Sequence, residues 1–300
     1  MQEDRNIRKA TGNKWFLLFA LALIWGSSFI LMKKGLTAFA PDQVASIRML
    51  VACLASLPLG FSRLKTLKWE HARYMAVVGA VGSGIPAFLF ATAQTRISSY
   101  LAGMLNALTP VFTLMLGSLF FHSKFSNRQI SGVLIGFMGA AGLVFVRSGG
   151  GVGADAFFAA LIVIATCCYG ISVNTIKTFL SGQDTLLISS VSLLVVGIPY
   201  GIYLFTTDFT TRLFTHPEAG MAFASLATLS VFGTALSNVL YFHLVKTAGP
   251  LFASAVTYLM PVIALAWGLS DGELLHPLHL LAMLAILLGV GLISWKGRTG

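Results

Sequence analysis

Apolar residues occur along this chain in long runs, each close to the length of a membrane-spanning helix. The hydrocarbon core of a bilayer is about 30 Å thick, so a helix needs roughly 20 consecutive apolar residues to cross it. Charges, turn residues and prolines at helix starts divide the chain into ten such runs. The runs are Lys14–Met32, Asp42–Ser62, Arg73–Gln94, Ser98–Phe121, Arg128–Val146, Asp155–Ile176, Thr185–Thr206, Ala219–Val245, Pro250–Ser270 and Pro277–Trp295. The pattern predicts an all-α polytopic membrane protein with ten transmembrane helices, numbered 1 to 10 in chain order.

The composition agrees with a chain that lies mostly in lipid. Of its 300 residues, 56% are hydrophobic and only 10% are charged, which leaves too few polar residues to cover the surface of a soluble domain. The first run is closely followed by a second and ends without a small-residue cleavage site. It is therefore interpreted as helix 1 and not as a signal peptide.

The distribution of Lys and Arg predicts how the helices are oriented. If the N-terminus is cytoplasmic, 14 of the 20 basic residues lie in cytoplasmic segments and five on the opposite side, as the positive-inside rule requires. Since ten is an even number, the C-terminus is then cytoplasmic as well. The net charge of +10 is interpreted as an orientation signal. Nucleic acid is not expected as a partner, because the basic residues are scattered over short loops.

The second half of the chain repeats the first. Pro110 and Pro261 each interrupt an apolar run, and they lie 151 residues apart. Neighbouring features keep this offset: Gly82 with Gly233, Phe90 with Tyr241, Leu108 with Leu259 and Gly117 with Gly268. Around helices 1 and 6, "WGSSFILMKKGL" (25–36) aligns with "YGISVNTIKTFL" (169–180). This self-similarity predicts two structurally related halves.

The repeat divides the chain into two five-helix units. We predict a cytoplasmic N-terminal segment (1–13), a first unit (14–147), a glycine-rich linker (148–154), a second unit (155–296) and a cytoplasmic tail (297–300). Because five is odd, the second unit enters the membrane from the opposite side. Such an inverted repeat is typical of secondary transporters, which bind substrate near the midplane between the halves. The linker lacks the Lys-Ser/Thr of a phosphate-binding loop, so it is interpreted as a tether.

The last part of each unit carries a family resemblance. The segments "TRISSYLAGMLNALTPVFTLMLGSLFFHSKFSNRQISGVLIGFMGAAGLVFV" (95–146) and "KTAGPLFASAVTYLMPVIALAWGLSDGELLHPLHLLAMLAILLGVGLIS" (246–294) resemble the paired EamA-type domains of the drug/metabolite transporter superfamily. The shorter motifs "IWGSSF" (24–29), "ASIRMLVA" (45–52) and "SNVLYFHLVKTAGP" (237–250) are similar to that family's helices 1, 2 and 8. The resemblance covers residues 14–296 and implies a multi-pass transporter.

Within the superfamily, the chain is similar to the YddG-type amino acid exporters of bacterial inner membranes. This resemblance implies a bacterial inner (plasma) membrane location and amino acid substrates, aromatic ones included. One departure concerns the Gly-Glu pair that the family often has after helices 4 and 9. The second unit keeps it as Gly272-Glu273, whereas the first unit has His122-Ser123, so a role for a symmetric glutamate pair is not expected.

Ionisable groups are scarce within the predicted helices. All ten Asp and Glu residues fall in loops or at helix ends, so no carboxylate is expected to relay protons at membrane depth. Arg48 lies about two turns into helix 2 and is expected to reach the outer interface or to pair with Asp42. A structural anchor is favoured over a substrate clamp as its role. His243 is expected at the cytoplasmic interface. The three cysteines lack metal-ligand spacing, so no disulfide, metal site, catalytic residue or cofactor is predicted.

Uncharged polar residues are concentrated on some of the predicted helices. Each of them needs a partner within lipid or a wet cavity. Helices 1, 4, 6, 8 and 9 carry Ser28, Asn106, Asn174, Asn238 and Thr257. Helices 5 and 10 instead carry small residues spaced for close packing, at Gly132, Gly136, Gly139, Ala282, Ala285 and Gly289. We expect the first group to surround a cavity and the second to form its rim or a dimer face.

The two repeated prolines leave backbone carbonyls without helical partners. Pro110 frees the carbonyl of Asn106, and Pro261 frees that of Thr257. A neighbouring hydroxyl or a water could satisfy each carbonyl in a packed kink, or the carbonyls could face a cavity and accept from a substrate ammonium. The repetition favours the second alternative. With aromatic walls for cation–π contact, the candidate substrate-binding residues are Trp25, Ser28, Asn106, Pro110, Tyr169, Asn174, Asn238, Tyr241, Tyr258 and Pro261.

Together these features predict a secondary transporter and not an enzyme. It would act as an exporter or uniporter of small amphiphilic metabolites by alternating access around a central cavity, with amino acids as the substrates implied by the resemblance. The alternatives are a drug or nucleotide-sugar carrier of the same superfamily and, from another class, an intramembrane enzyme or a receptor. Neither a G-x-S-x-G nor an H-E-x-x-H motif is present. The expected partners are the small-molecule substrate and the lipid bilayer, with the protein a monomer or a weak homodimer.

Overall fold

The computed structural model describes residues 2–97, 99–148, 156–270 and 277–294, which form helices joined by short turns, with no strand in these ranges. We number the helices to match the predicted ones. They are α1 (Gln2–Gly35), α2 (Pro41–Gly60), α3 (Trp69–Gly79 and Ile85–Ala93), α4 (Ser99–Leu105 and Thr109–Phe120), α5 (Asn127–Ser148), α6 (Ala156–Phe179), α7 (Thr185–Thr206), α8 (Ala219–Ser230 and Ser237–Ala248), α9 (Pro250–Ser254 and Val256–Ser270) and α10 (Pro277–Ser294). A turn of 3-10 helix, Phe61–Thr66, follows α2, and a short helix, Phe209–Thr215, precedes α8.

Six helices in the described ranges are long and apolar enough to cross a bilayer. The spans are Lys14–Gly35, Pro41–Thr66, Trp69–Ala93, Ala156–Phe179, Thr185–Thr206 and Ala219–Ala248, and the second of them includes the 3-10 turn after α2. Large apolar side chains such as Phe16, Leu54, Ile164 and Ile202 are exposed on them, which indicates surfaces that contact lipid. The prediction of an all-helical, multi-pass membrane protein is therefore confirmed.

The helix bounds differ from the predicted runs mainly at the ends. Helix α1 continues past the predicted Met32 to Gly35, and α2 begins at Pro41, a residue that suits the first turn because its missing N–H has no helical acceptor there. Helix α7 begins where predicted, because the Asp184 carboxylate accepts from the backbone N–H of Leu186 at 2.8 Å. Residues 149–154 of the predicted linker, the Gly272-Glu273 pair and the C-terminal tail lie outside the described residues.

Four helices are interrupted part-way along: α9 at Ala255, and α3, α4 and α8 by short segments of different pitch. A π segment, Ala80–Gly84, joins the two parts of α3, and a second one, Val231–Leu236, joins those of α8. In α4 a 3-10 turn, Asn106–Leu108, ends two residues before Pro110. A proline cannot donate to the preceding turn, so the backbone tightens there.

Helices α5 and α10 pack with their backbones almost in contact. A Cβ atom at Gly132 would lie 2.8 Å from the carbonyl oxygen of Gly289, and one at Gly289 would lie 2.6 Å from Cα of Gly136. Only glycine permits so close an approach of two helices. Three of the small residues predicted to form a rim or a dimer face therefore take part in a contact within the chain.

A second close contact joins α2 to α7. The Ser190 hydroxyl donates to the carbonyl oxygen of Ser56 at 3.0 Å, and a Cβ atom at Gly197 would lie 2.3 Å from Cβ of Cys53. Cys53 is consequently a buried free thiol that packs as a small core residue. Both contacts connect residues of the first predicted unit to residues of the second.

We predict that Gly289→Ala destabilises the protein by about 1–3 kcal/mol, because its methyl group meets backbone atoms that cannot rotate away. The melting temperature in detergent, followed by tryptophan fluorescence, should fall. The matched control is Gly220→Ala in α8, where a Cβ atom meets nothing within 4 Å. Equal melting temperatures for the two variants would show that α5 and α10 are not in backbone contact.

Candidate functional site

A cavity of about 820 Å³, counting the part that opens to solvent, lies among the helices. Its lining residues come from α1, α2, α3, α4, α6, α8 and α9, and within the described ranges none comes from α5, α7 or α10. The sequence predicts five of these seven helices and the exclusion of helices 5 and 10. The structure adds α2 and α3, which the sequence does not predict to line the cavity.

Most lining residues form pairs that are related by the internal repeat. Three pairs from α1 and α6 are separated by 144 residues, and five pairs from α3 and α4 with α8 and α9 are separated by 151 residues. The pairs are Trp25 with Tyr169, Ser28 with Ser172, Phe29 with Val173, Gly82 with Gly233, Ser83 with Thr234, Phe90 with Tyr241, Asn106 with Thr257 and Thr109 with Met260. The four remaining lining residues are Met32, Arg48, Asn238 and Phe242. Equivalent positions of the two units thus converge on one cavity.

The π segments of α3 and α8 form part of the cavity wall. Their irregular backbone is held by side-chain donors: Trp25 Nε1 donates to the Gly233 carbonyl oxygen at 2.9 Å, and the Tyr200 hydroxyl donates to that of Gly84 at 3.0 Å. Single π turns inside α-helices are frequent at functional sites. The period of the hydrophobic pattern does not reveal them, although the matching glycines Gly82 and Gly233 mark their positions.

Each π segment lies against a serine from the other half of the repeat. A Cβ atom at Gly82 would lie 2.4 Å from Oγ of Ser172, and one at Gly233 would lie 3.0 Å from Oγ of Ser28. The two contacts are equivalent, since both the glycines and the serines are repeat-related. The cavity wall is therefore built from reciprocal contacts between the units.

Aromatic pairs follow the same reciprocal arrangement. Trp25 meets Tyr241 edge-on, with ring centroids 4.9 Å apart, and Tyr169 stacks on Phe90 with centroids 6.2 Å apart. Each pair joins one residue of the first unit to one of the second. The four rings give the cavity extensive apolar and π-rich walls, which suit an apolar or aromatic group of a ligand.

Polar groups form one further part of the wall. Arg48 Nε donates to Thr234 Oγ1 at 3.0 Å, and Asn238 Nδ2 donates to Ser83 Oγ at 3.2 Å. For Arg48, the partner in the structure differs from the one that the sequence predicts. It does not pair with Asp42, whose carboxylate accepts from the Tyr203 hydroxyl at 2.9 Å. The π segment of α8 brings Thr234 within reach, so the guanidinium lies along the cavity.

Six of the ten predicted site residues line the cavity: Trp25, Ser28, Asn106, Tyr169, Asn238 and Tyr241. Two others have structural partners elsewhere. Asn174 Nδ2 donates to the carbonyl oxygens of Thr113 at 2.9 Å and Gly170 at 2.8 Å, which ties α6 to α4. The hydroxyl of the fully buried Tyr258 donates to the Val133 carbonyl oxygen at 3.0 Å, which ties α9 to α5.

The two prolines, Pro110 and Pro261, are buried but do not line the cavity. The carbonyl of Asn106 accepts from the Thr109 hydroxyl at 2.7 Å, which is the packed-kink alternative. Asn106 itself reaches the cavity, and its Nδ2 approaches the sulfur of Met260 at 3.4 Å. The bend before Pro110 therefore positions Asn106 between α4 and α9 but does not leave its carbonyl for a ligand.

Acidic and histidine side chains are absent from the cavity lining within the described residues. His243 is exposed near the end of α8 and does not line the cavity; its place at the cytoplasmic interface stays a prediction. The described residues also contain no cluster of three or more His, Cys, Asp or Glu side chains that could hold a metal ion.

Comparison with known proteins shows to which family the chain belongs. The sequence profile of the EamA-like transporter family matches residues 13–145 and again residues 156–295. The chain belongs to this family. Proteins of the EamA-like family are transporters, and the closer likeness to YddG-type exporters stays a prediction.

Two relatives and one solved structure extend this result. The chain is 27% identical over 291 residues to an uncharacterized inner membrane transporter, YedA of Escherichia coli K12, covering 92% of this chain and 89% of that protein. It is 24% identical over 294 residues to a probable terminal-alkyne amino-acid exporter of Streptantibioticus cattleyicolor, covering 93% and 92% of the two chains. A crystal structure with 13% identity superposes with a TM-score of 0.72 over 94% of this chain and 96% of the other, which shows a shared fold.

We predict that Gly82→Ala lowers stability by roughly 1–3 kcal/mol through contact with the Ser172 hydroxyl. The double variant Gly82→Ala/Ser172→Ala should recover most of the loss in melting temperature, because the remaining approach to Cβ of Ser172 is 3.2 Å. Ser28→Ala is the matched control, since Ser28 faces Gly233 and should not rescue Gly82→Ala. Equal rescue by both serine variants would contradict the reciprocal packing.

Proposed function

We propose that the protein is a secondary transporter of small amphiphilic metabolites in the bacterial inner membrane, with amino acids, aromatic ones included, as its substrates. The observation that carries the proposal is the cavity itself, because eight repeat-related pairs of residues line it. In a transporter with two inverted units, the substrate site lies between the units near the midplane. A site built from equivalent positions of both units is what alternating access requires.

The proposed topology has ten membrane crossings in two inverted five-helix units, with both termini cytoplasmic. The six long apolar spans supply six crossings, and α4, α5, α9 and α10 supply the others. Family matches to residues 13–145 and 156–295 support the division into two units. The location in the inner membrane is supported by the YedA relative, which carries that description.

The proposed substrate class is supported by the cavity walls and by one relative. The pairs Trp25–Tyr241 and Tyr169–Phe90 offer aromatic faces to an apolar or aromatic side chain, and Asn238 with neighbouring hydroxyls offers hydrogen bonds. The Streptantibioticus relative is described as a probable terminal-alkyne amino-acid exporter. A nucleotide sugar fits this cavity less well, because its diphosphate needs several basic groups and Arg48 is the one present in the described lining.

Transport assays in proteoliposomes test the proposal. Radiolabelled phenylalanine, methionine, threonine and a nucleotide sugar should be compared for uptake by counterflow, and we expect phenylalanine and methionine to enter faster than in protein-free liposomes. Tyr169→Ala should reduce this flux about tenfold or more, because one cavity wall is removed. Ile164→Ala, on the lipid-exposed side of the same helix, is the matched control. Flux of the nucleotide sugar alone would favour the alternative carrier class, and no flux of any compound would refute the transporter proposal.

We further predict that transport is facilitated diffusion, without proton coupling. Coupling to protons needs a group that titrates differently in the two access states, and the described cavity lining contains no carboxylate or histidine. With the membrane potential clamped, an imposed pH gradient should not drive uphill accumulation of phenylalanine. Concentrative uptake that a protonophore abolishes would overturn this prediction. If the His243→Gln variant then lost this uptake, His243 would be the group that couples transport to protons.

A further inference from the structure

Arg48 is the one residue of the described cavity lining that carries a formal charge. Unlike most lining residues, Arg48 has no repeat-related partner in the described lining. Helices α2 and α7 both contain an internal proline, Pro58 and Pro199, and the same 141-residue offset places Ser189 at the position equivalent to Arg48. The first unit thus adds a positive charge to the cavity that the second unit does not match.

Most N–H donors of the Arg48 guanidinium have no acceptor among the described residues. A guanidinium has five N–H donors in a planar fork. In the described residues Nε donates to Thr234 Oγ1 at 3.0 Å, and the four N–H groups of the two Nη atoms have no acceptor and no carboxylate partner. A cation at membrane depth is costly unless it is paired. The arrangement therefore leaves both the charge and the outer edge of the fork for a ligand.

The bond to Thr234 also fixes which edge of the fork is available. Because Nε is engaged, an anion can bind end-on to Nη1 and Nη2, where two parallel N–H···O bonds match the two oxygens of one carboxylate. Thr234 acts here as a positioning residue, since it holds the guanidinium from the π segment of α8. A single carboxylate neutralises the charge, whereas a diphosphate would leave net negative charge in a cavity with no further cation in the described lining.

We propose that Arg48 binds the carboxylate of the substrate end-on and makes that carboxylate the group required for recognition. The inference rests on the proposed transport function and narrows its substrate class to monocarboxylates with an apolar or aromatic body. The α-ammonium of an amino acid is then tolerated but not required, because it meets only neutral acceptors such as the Asn238 amide oxygen and hydroxyl groups. The cavity therefore selects its substrates by their carboxylate group.

Competition with three matched compounds tests the proposal in the wild-type protein. 3-Phenylpropionate keeps the carboxylate of phenylalanine and lacks the ammonium, whereas phenethylamine keeps the ammonium and lacks the carboxylate. Each is added unlabelled against radiolabelled phenylalanine uptake into proteoliposomes, with unlabelled phenylalanine as the reference. We expect 3-phenylpropionate to inhibit within about threefold of phenylalanine and phenethylamine to inhibit at least tenfold more weakly, since a hydrogen-bonded charge pair accounts for about that factor or more. Equal or stronger inhibition by phenethylamine would overturn the proposal.

Variants then separate a role in recognition from a structural role. Arg48→Gln should raise the KM for phenylalanine at least tenfold and abolish the preference for 3-phenylpropionate over phenethylamine, whereas Arg48→Lys should keep part of the preference because it keeps the charge. Arg96→Gln, at an exposed arginine, is the matched control. If Arg48 only braces Thr234, Arg48→Gln will lower the melting temperature and the flux without changing the preference among the compounds, and that result contradicts the proposal.

A binding measurement keeps this inference separate from the transport proposal. In detergent, 3-phenylpropionate should raise the melting temperature of the wild-type protein and not that of Arg48→Gln, even if no flux is found in proteoliposomes. Flux of phenylalanine with no preference for carboxylates leaves the transporter proposal standing and removes the role of Arg48. No flux, with a shift in melting temperature that depends on Arg48, removes the transporter proposal and keeps the carboxylate site.

Discussion

The interaction on which this structure most depends is the hydrogen bond that satisfies an irregular backbone carbonyl inside the membrane. Lipid offers no partner, so every carbonyl that leaves the regular helical pattern must find a donor within the protein. Here the donors are side chains that arrive from other helices or from one turn away, such as Trp25 at Gly233, Tyr200 at Gly84 and Thr109 at Asn106. Two of these places line the cavity, and Gly84 directly follows the lining residue Ser83. The irregular backbone and the cavity therefore require each other.

The reciprocal contacts explain why the cavity belongs to both units equally. A glycine of each π segment lies against a serine of the opposite unit, and each aromatic pair joins the units in the same way. Any rotation of one unit against the other changes both sides of the cavity together. The backbone contact between α5 and α10 lies apart from these contacts, because neither helix lines the cavity in the described ranges. The contact between α5 and α10 thus contributes to stability without forming part of the cavity.

The sequence predicts helices and their polar faces well, because both follow from local apolar length and composition. It correctly brings Trp25, Asn106 and Tyr169 to a common cavity, since the repeat marks equivalent positions. It fails where neighbouring residues on one helix face different ways. Thr257 lines the cavity, whereas the adjacent Tyr258 points to α5, and a helix turns by about 100° per residue. The position of Arg48 depends on a π segment almost two hundred residues away, which no local pattern could place.

The unpaired charge of Arg48 has a consequence for the response to voltage. In the proposed mechanism the cavity opens alternately to the two sides, so the guanidinium experiences a different fraction of the membrane potential in each state, even if it hardly moves. One charge crossing the full potential changes in free energy by about 2.3 kcal/mol per 100 mV. A bound monocarboxylate that lacks an ammonium cancels that charge, whereas a bound zwitterion leaves the complex with the same net charge as the empty carrier. For a zwitterion the membrane potential would then act on the loaded and the empty carrier alike, and it would set the rate of transport without changing its thermodynamic direction.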